Sequence, residues 1–149
     1  MGVGDNLEHA NLLQVPFAAL NRHRVVLLAT GTHHTLALTS HEVAPLYGWG
    51  WGKYGQLGHH SRGSCLVPTP IPVSTLLEGA SIVDLGAGYS HSAFVTSNGK
   101  LFTSGRNDMG QLGLGHAVDT FEFTQVKQPI HAIKVSLGEY FCLVLESTL

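Results

Sequence analysis

Three stretches of this chain repeat one rhythm of large apolar and small or polar positions: Leu36-Ala-Leu38-Thr39, Ala93-Phe-Val95-Thr96 and Leu143-Val-Leu145-Glu146. Alternation of period two, carried by Val, Phe and Thr, predicts strands, because successive side chains leave opposite faces of the pleat. A second apolar run precedes each stretch: VVLLATG, IVDLGAG and IKVSLG. The recurring pattern is strand, turn, strand. Asn98-Gly99 predicts a hairpin with a type I′ turn, which needs φ > 0 at both residues, and Lys100-Leu-Phe102 is its return strand. Pro68, Pro70 and Pro72 predict a loop or an edge strand, since proline removes a ladder donor. Helical signal is limited to one turn within Val73–Glu78 and one within Asn11–Leu20, where Pro16 interrupts.

The rhythm has a period. GTHHTLALT begins at Gly31, GYSHSAFVT at Gly88 and GEYFCLVLE at Gly138, spacings of 57 and 50 residues. Gly55-Gln56-Leu57-Gly58 returns 55 residues later as Gly110-Gln111-Leu112-Gly113, and Gly2-Val-Gly4-Asp5 aligns with Gly113-Leu-Gly115-His116. One repeat domain over 1–149 follows, with units near 1–47, 48–104 and 105–149. The first unit lacks its opening and the last lacks its close. Units of about 50 residues with a few strands and a glycine-rich turn predict propeller blades. The expected fold is all-β, a partial β-propeller of about three blades. In each GQLG, glycine permits φ > 0, leucine anchors the turn in the core, and the glutamine amide bonds freed backbone groups.

The phrases GWGWGKYGQLG, GRNDMGQLGLG, GTHHTLALT and GYSHSAFVTSNGKLF resemble the repeat of the regulator of chromosome condensation family. That repeat reads approximately W-G-x-N-x-x-G-Q-L-G-x-G, a variable loop, then G-x-x-H-[ST]-x-x-[LV]-T-x-x-G-x-[LV]-[YF]. The resemblance covers nearly the whole chain. It implies a seven-bladed propeller, of which about two and three-quarter units are present, so the expectation is a piece or short form of a longer propeller. One plant branch of the family senses ultraviolet-B light through G-W-R-H-[ST] repeats. Thr32-His33, Tyr89-Ser90 and Glu139-Tyr140 stand at those places, so the resemblance does not carry that activity here.

Composition agrees with a packed, turn-rich protein. Hydrophobic residues make up 44% and charged residues 12%, about half the usual quarter, while glycine takes 18 of 149 positions. Net charge is −2 and no basic block stands out, which argues against a direct nucleic-acid surface. The two cysteines, Cys65 and Cys142, form no CxxC, and an intracellular setting, cytoplasmic or nuclear, is expected. No signal-peptide pattern or membrane-length apolar run is present. Asn6 stands where the myristoylation pattern wants Ser or Thr.

Candidate chemistry is sparse. Gly50-Trp-Gly52-Lys-Tyr-Gly55 spells GxGxxG, but no helical periodicity follows it, so it reads as a blade turn. His34 and His91 share one repeat position with Phe141, which marks a packing or hydrogen-bonding place rather than a metal or catalytic one. Trp49 and Trp51 read as core. Cys65 and Cys142 have no base near them in sequence, and no GxSxG elbow occurs. No catalytic residue, cofactor or metal ligand is assigned.

The expected function is a non-catalytic protein-interaction or regulatory module. The partner is a protein: a small GTPase or the remaining blades of a longer chain. Variable loops carry recognition in such folds, which selects Arg62, Glu78, Asp119, Phe121, Glu122 and Phe123 as exposed candidates. Phe121 and Phe123 lie one side of a short strand, either as core or as a partner anchor. The alternative, implied by the resemblance, is guanine nucleotide exchange on a Ran-type small GTPase, associated with chromatin. No insertion large enough for a GTPase-displacing wedge, and no basic tail, is visible in the sequence.

Overall fold

Leu36 and Leu38 turn toward one neighbour while Ala37, between them, turns toward another, and this sorting by alternation builds the whole architecture. In the computed structural model, which describes residues 2–5, 7, 10–42, 45–128 and 130–147, the chain forms antiparallel sheets ordered from inside to outside in sequence. The first sheet contains β1 (Val25–Thr30), β2 (His34–Thr39), β3 (Leu46–Gly50) and β4 (Cys65–Pro70). A one-turn helix α1 (Ser74–Leu77) leads to the second sheet, β5 (Ile82–Ala87), β6 (His91–Thr96), β7 (Leu101–Gly105) and β8 (Thr120–Gln125). Strands β9 (Ala132–Leu137) and β10 (Cys142–Glu146) pair as a third. A 3₁₀ turn at Phe17–Leu20 precedes β1. Each sheet is a four-strand meander or its inner half, so the sequence unit 48–104 takes β3 and β4 from one sheet and β5–β7 from the next.

Sheets stack face to face, which buries the middle strands on both sides. β3, β6 and β7 are buried throughout. Between the first two sheets, Leu36, Leu38 and Leu46 meet Phe94, Phe102 and Phe123. Phe94 lies 4.8 Å from the Phe102 ring in a stacked pair and 4.9 Å from Phe123. Rings of this size dominate core energetics through the apolar area they remove from water. One repeat later the same alternation sends Ala93 and Val95 toward Ala132 and Val135 of the third sheet. On the free side of the first sheet, Leu20 joins Ala37, Tyr47 and Trp49, and Asn21 Nδ2 donates to the Tyr47 hydroxyl at 3.0 Å.

The proline cluster falls where expected: Pro68 and Pro70 lie in the edge strand β4. The Asn98-Gly99 hairpin differs from the sequence expectation. Gly99 has φ +80°, but Asn98 is not left-handed. Gly99 N–H donates to the Thr96 carbonyl at 2.9 Å, closing a type I turn over Ser97-Asn98 with Gly99 as the bulge. The Thr96 hydroxyl sets this choice, because it contacts Asn98 Oδ1 at 2.6 Å and accepts from Lys100 N–H at 3.1 Å.

Candidate interaction face

The two GQLG turns begin with left-handed glycines, Gly55 at φ +86° and Gly110 at φ +73°. In both, the glutamine side-chain carbonyl accepts from the N–H two residues back: Gln56 from Tyr54 at 3.0 Å, Gln111 from Met109 at 2.9 Å. Leu57 and Leu112 are fully buried beneath them. The first turn also seats on the next sheet. Ser104 Oγ donates to the Gly55 carbonyl and Ser92 Oγ to the Gln56 carbonyl, both at 2.7 Å. A Cβ on Gly55 would come within 2.3 Å of the Thr120 carbonyl oxygen, so only glycine fits. Gly58 and Gly113 close the turns at φ +67° and +68°.

The G-x-x-H positions form the inner seam. His34 Nε2 lies 2.7 Å from Ser92 Oγ, and His91 Nε2 lies 3.2 Å from the Phe141 carbonyl. Both rings lie over their own glycine, where a Cβ on Gly31 or Gly88 would approach Cε1 within 2.6 Å or 2.5 Å. Burial pushes the His34 imidazole down to about 4, helped by nearby His91 and His33, and lowers His91 as well. These histidines are neutral structural groups joining sheets.

The turns after β1, β3, β5, β7 and β9 share one end of the stack, and there aromatic side chains meet. His33 packs edge-on against Trp51 at 5.5 Å and Tyr89 at 5.6 Å. Trp51 continues to Tyr54 at 5.5 Å, and Tyr89 to Tyr140 at 6.3 Å. The Arg106 guanidinium closes the group, 5.2 Å from the Tyr54 ring and 5.7 Å from that of Tyr140. A hydrogen bond from Arg106 holds the Asp108 carboxyl below its usual range, and Glu139 raises the neighbouring Tyr140 phenol. His33, Trp51, Tyr54, Tyr89 and Arg106 are half-buried, and Tyr140 is exposed. Three successive sheets thus contribute to one continuous aromatic surface. Sequence reading separates these residues by up to about 107 positions, and only the alignment of Thr32-His33, Tyr89-Ser90 and Glu139-Tyr140 signals that they share a place.

The loop candidates divide. Arg62 is exposed, with its guanidinium 4.6 Å over the half-buried Phe121 ring. Glu122 is exposed and pairs with His60 at 2.9 Å. Glu78 is exposed, at the opposite end of the stack, and pairs with Lys100 at 2.7 Å. Phe123, expected among the exposed candidates, is 4% exposed and packs on Phe94, because its side of β8 faces the first sheet. Asp119 is half-buried and accepts from Asn107 N–H at 2.9 Å. Asn107 is the organiser there: fully buried, it accepts from Leu112 N–H and donates to the His116 and Val118 carbonyls. In the first sheet Gly52 takes that place, and the backbone of Gly63 fills the space of the missing amide. Trp49 is core, whereas Trp51 belongs to the aromatic surface.

Among the described residues, no three His, Cys, Asp or Glu side chains cluster as a metal site. No helix among them is long and apolar enough to cross a membrane.

The profile described as the regulator of chromosome condensation repeat matches residues 45–95 and 98–145, and a second profile of that description matches 82–111. An ultraviolet-B receptor of Arabidopsis thaliana is 36% identical over 134 residues, 90% of this chain and 28% of that protein. A secretion-regulating guanine nucleotide exchange factor of Mus musculus is 39% identical over 85 residues, 57% of this chain and 18% of its own length. The crystal structure of the yeast regulator of chromosome condensation bound to Kap60 superposes with a TM-score of 0.70 at 23% identity. It covers 82% of this chain and 30% of that one. The chain therefore spans about a third or less of the proteins it resembles here.

Proposed function

Because this chain belongs to the regulator of chromosome condensation repeat family, of β-propeller fold, we propose that it is a non-catalytic protein-interaction module. Its partner docks on the aromatic end of the sheets. The observation that carries this reading is the surface formed by His33, Trp51, Tyr54, Tyr89, Tyr140 and Arg106 across three sheets. Trp, Tyr and Arg are the side chains that most often dominate binding energy at protein interfaces. They stand here on turns fixed by buried seams, so little ordering entropy opposes binding. The test is affinity capture with quantitative mass spectrometry. The triple variant Trp51→Ala, Tyr89→Ala, Arg106→Ala is expected to lose the proteins retained by the wild type. The variant Glu78→Ala, Lys100→Ala, at the other end, is expected to keep them. Equal retention by both variants overturns the reading.

A second reading is nucleotide exchange on a Ran-type small GTPase, favoured by the likeness to the mouse exchange factor. Release of a fluorescent guanine nucleotide from such a GTPase, with and without the chain, tests it. Acceleration supports exchange, and an unchanged rate removes it.

A further inference from the structure

Cys65 opens β4, half-buried beside the Tyr47 and Trp49 cluster, and follows a solvent-exposed loop, Ser61–Ser64. Its Sγ lies 3.6 Å from Nδ1 of His59. The other nitrogen of that ring, Nε2, lies 3.2 Å from the Thr69 carbonyl oxygen. A carbonyl only accepts, so Nε2 carries the proton and Nδ1 turns a lone pair to the thiol. Burial lowers the His59 imidazole, with the Thr69 bond opposing and His60 assisting, which keeps the ring neutral near pH 7. A nucleophile, a base and a third group that fixes the base's tautomer are thus assembled.

The fold does not require either residue. The second sheet builds the same turn with Leu114 in the place of His59. Thr120 there pairs with Gly105 as Cys65 pairs with Gly50. The remaining thiol, Cys142, is pushed up to about 11 by burial.

We propose that Cys65 is a covalent modification site, its thiol activated by His59 for attack on small soft electrophiles. In the step, the Sγ proton passes to His59 Nδ1 as sulfur bonds to the electrophilic carbon. With iodoacetamide the C–I bond breaks, iodide leaves, and the imidazolium then returns its proton to solvent. The sequence hides the pair, because five residues of loop separate Cys65 from His59 and nothing local dictates that the loop folds back.

The test is iodoacetamide alkylation of the full chain at pH 7, followed by peptide mass spectrometry at each cysteine, with glutathione as the free-thiol reference. Cys65 is expected to react at least about tenfold faster than both Cys142 and glutathione, a floor set below the roughly 10²- to 10⁴-fold that a positioned base supplies. His59→Leu, which installs the residue the second repeat already carries there, is expected to slow Cys65 by about tenfold and leave Cys142 unchanged. A Cys65 rate no greater than that of glutathione overturns the proposal. So does an unchanged Cys65 rate in folded His59→Leu. If the variant unfolds, seen as a rise at Cys142, the comparison with glutathione in the wild type decides.

Discussion

His34 of the first sheet and Ser92 of the second share a hydrogen bond of 2.7 Å across the seam. Ser92 spends its own proton on the Gln56 carbonyl, so His34 donates through Nε2. Its buried Nδ1 has no partner among the described residues, and a proton there would place an unpaired charge in the seam. Burial, then His91 and His33, lower the folded imidazole from 6.5 to about 4. The unfolded chain therefore binds this proton first as pH falls. The His34 contribution is complete above about pH 6.5 and is lost progressively toward pH 4, by roughly 3 kcal/mol for a shift of this size. His91 and His59 act in the same direction. Urea denaturation between pH 7.5 and 4.5 should show stability falling with acid. His34→Phe, which adopts the residue of the third repeat, should flatten the dependence. An unchanged slope in that variant means that other groups control it.

The two GQLG turns predict unequal mutational costs from one motif. Gly55→Ala must hold a Cβ at φ +86° and also drive it into the Thr120 carbonyl and Phe121 Cα. Gly110→Ala carries only the backbone penalty at φ +73°, because nothing lies within 4 Å of its would-be Cβ. The second change should cost about 1 to 2 kcal/mol, the price of a left-handed L-residue. The first should cost at least about 2 kcal/mol more, since the clash is with backbone that belongs to the next sheet. Denaturant midpoints of the two variants check this, and equal losses would mean that the seam relaxes freely.

Much of this was readable in the chain because the repeat constrains backbone, and backbone constraints write glycine. Gly31, Gly55, Gly88 and Gly110 mark turns whose conformation or close packing admits no other residue without strain or displacement. What sequence could not supply was which face of a strand meets a neighbour. The alternation in Thr120–Phe123 placed Phe121 and Phe123 on one side but left open whether that side was core or solvent. Stacking makes Phe123 core and leaves Phe121 to cover Gly55. The Asn98-Gly99 hairpin was mistyped because the Thr96 hydroxyl, outside the two-residue signal, bonds across the turn. The aromatic surface and the Cys65–His59 pair depend on how loops return, which no local pattern records.

Asn107 predicts the cost of losing one buried amide. Its Oδ1 accepts from Leu112 N–H at 3.0 Å, and its Nδ2 donates to the His116 carbonyl at 2.7 Å and the Val118 carbonyl at 3.2 Å. Asn107→Ala strands the buried Leu112 N–H and removes two part-buried bonds to the His116 and Val118 carbonyls. It should cost about 1 to 3 kcal/mol, chiefly from the buried donor left unmade. Asn107→Asp keeps the acceptor and loses the donors, so it should be intermediate or worse near pH 7. Thermal unfolding checks both. A loss below about 1 kcal/mol for Asn107→Ala would mean that water replaces the amide, as the backbone of Gly63 does beside Gly52.

His60 occupies the turn position that glycine takes elsewhere in the repeat. Its φ is +57°, against +97° for Gly4 and +79° for Gly115. The left-handed region strains a residue with a Cβ by about 1 to 2 kcal/mol. In return the side chain contributes the 2.9 Å pair with Glu122, whose partners are 54% and 59% exposed. A polar contact that exposed is worth at most about 1 kcal/mol, and glycine adds unfolded-state entropy of similar size. The His60 N–H bond to the Phe121 carbonyl, 2.7 Å, is backbone and survives substitution. These terms nearly cancel, with the strain the largest, so His60→Gly should leave stability unchanged or raise it by up to about 1 kcal/mol. His60→Ala keeps the strain, removes the pair and should lower stability slightly. Denaturant melts of the three proteins order them directly. If His60→Gly proves the least stable, the pair with Glu122, and not the backbone, holds this loop against the second sheet.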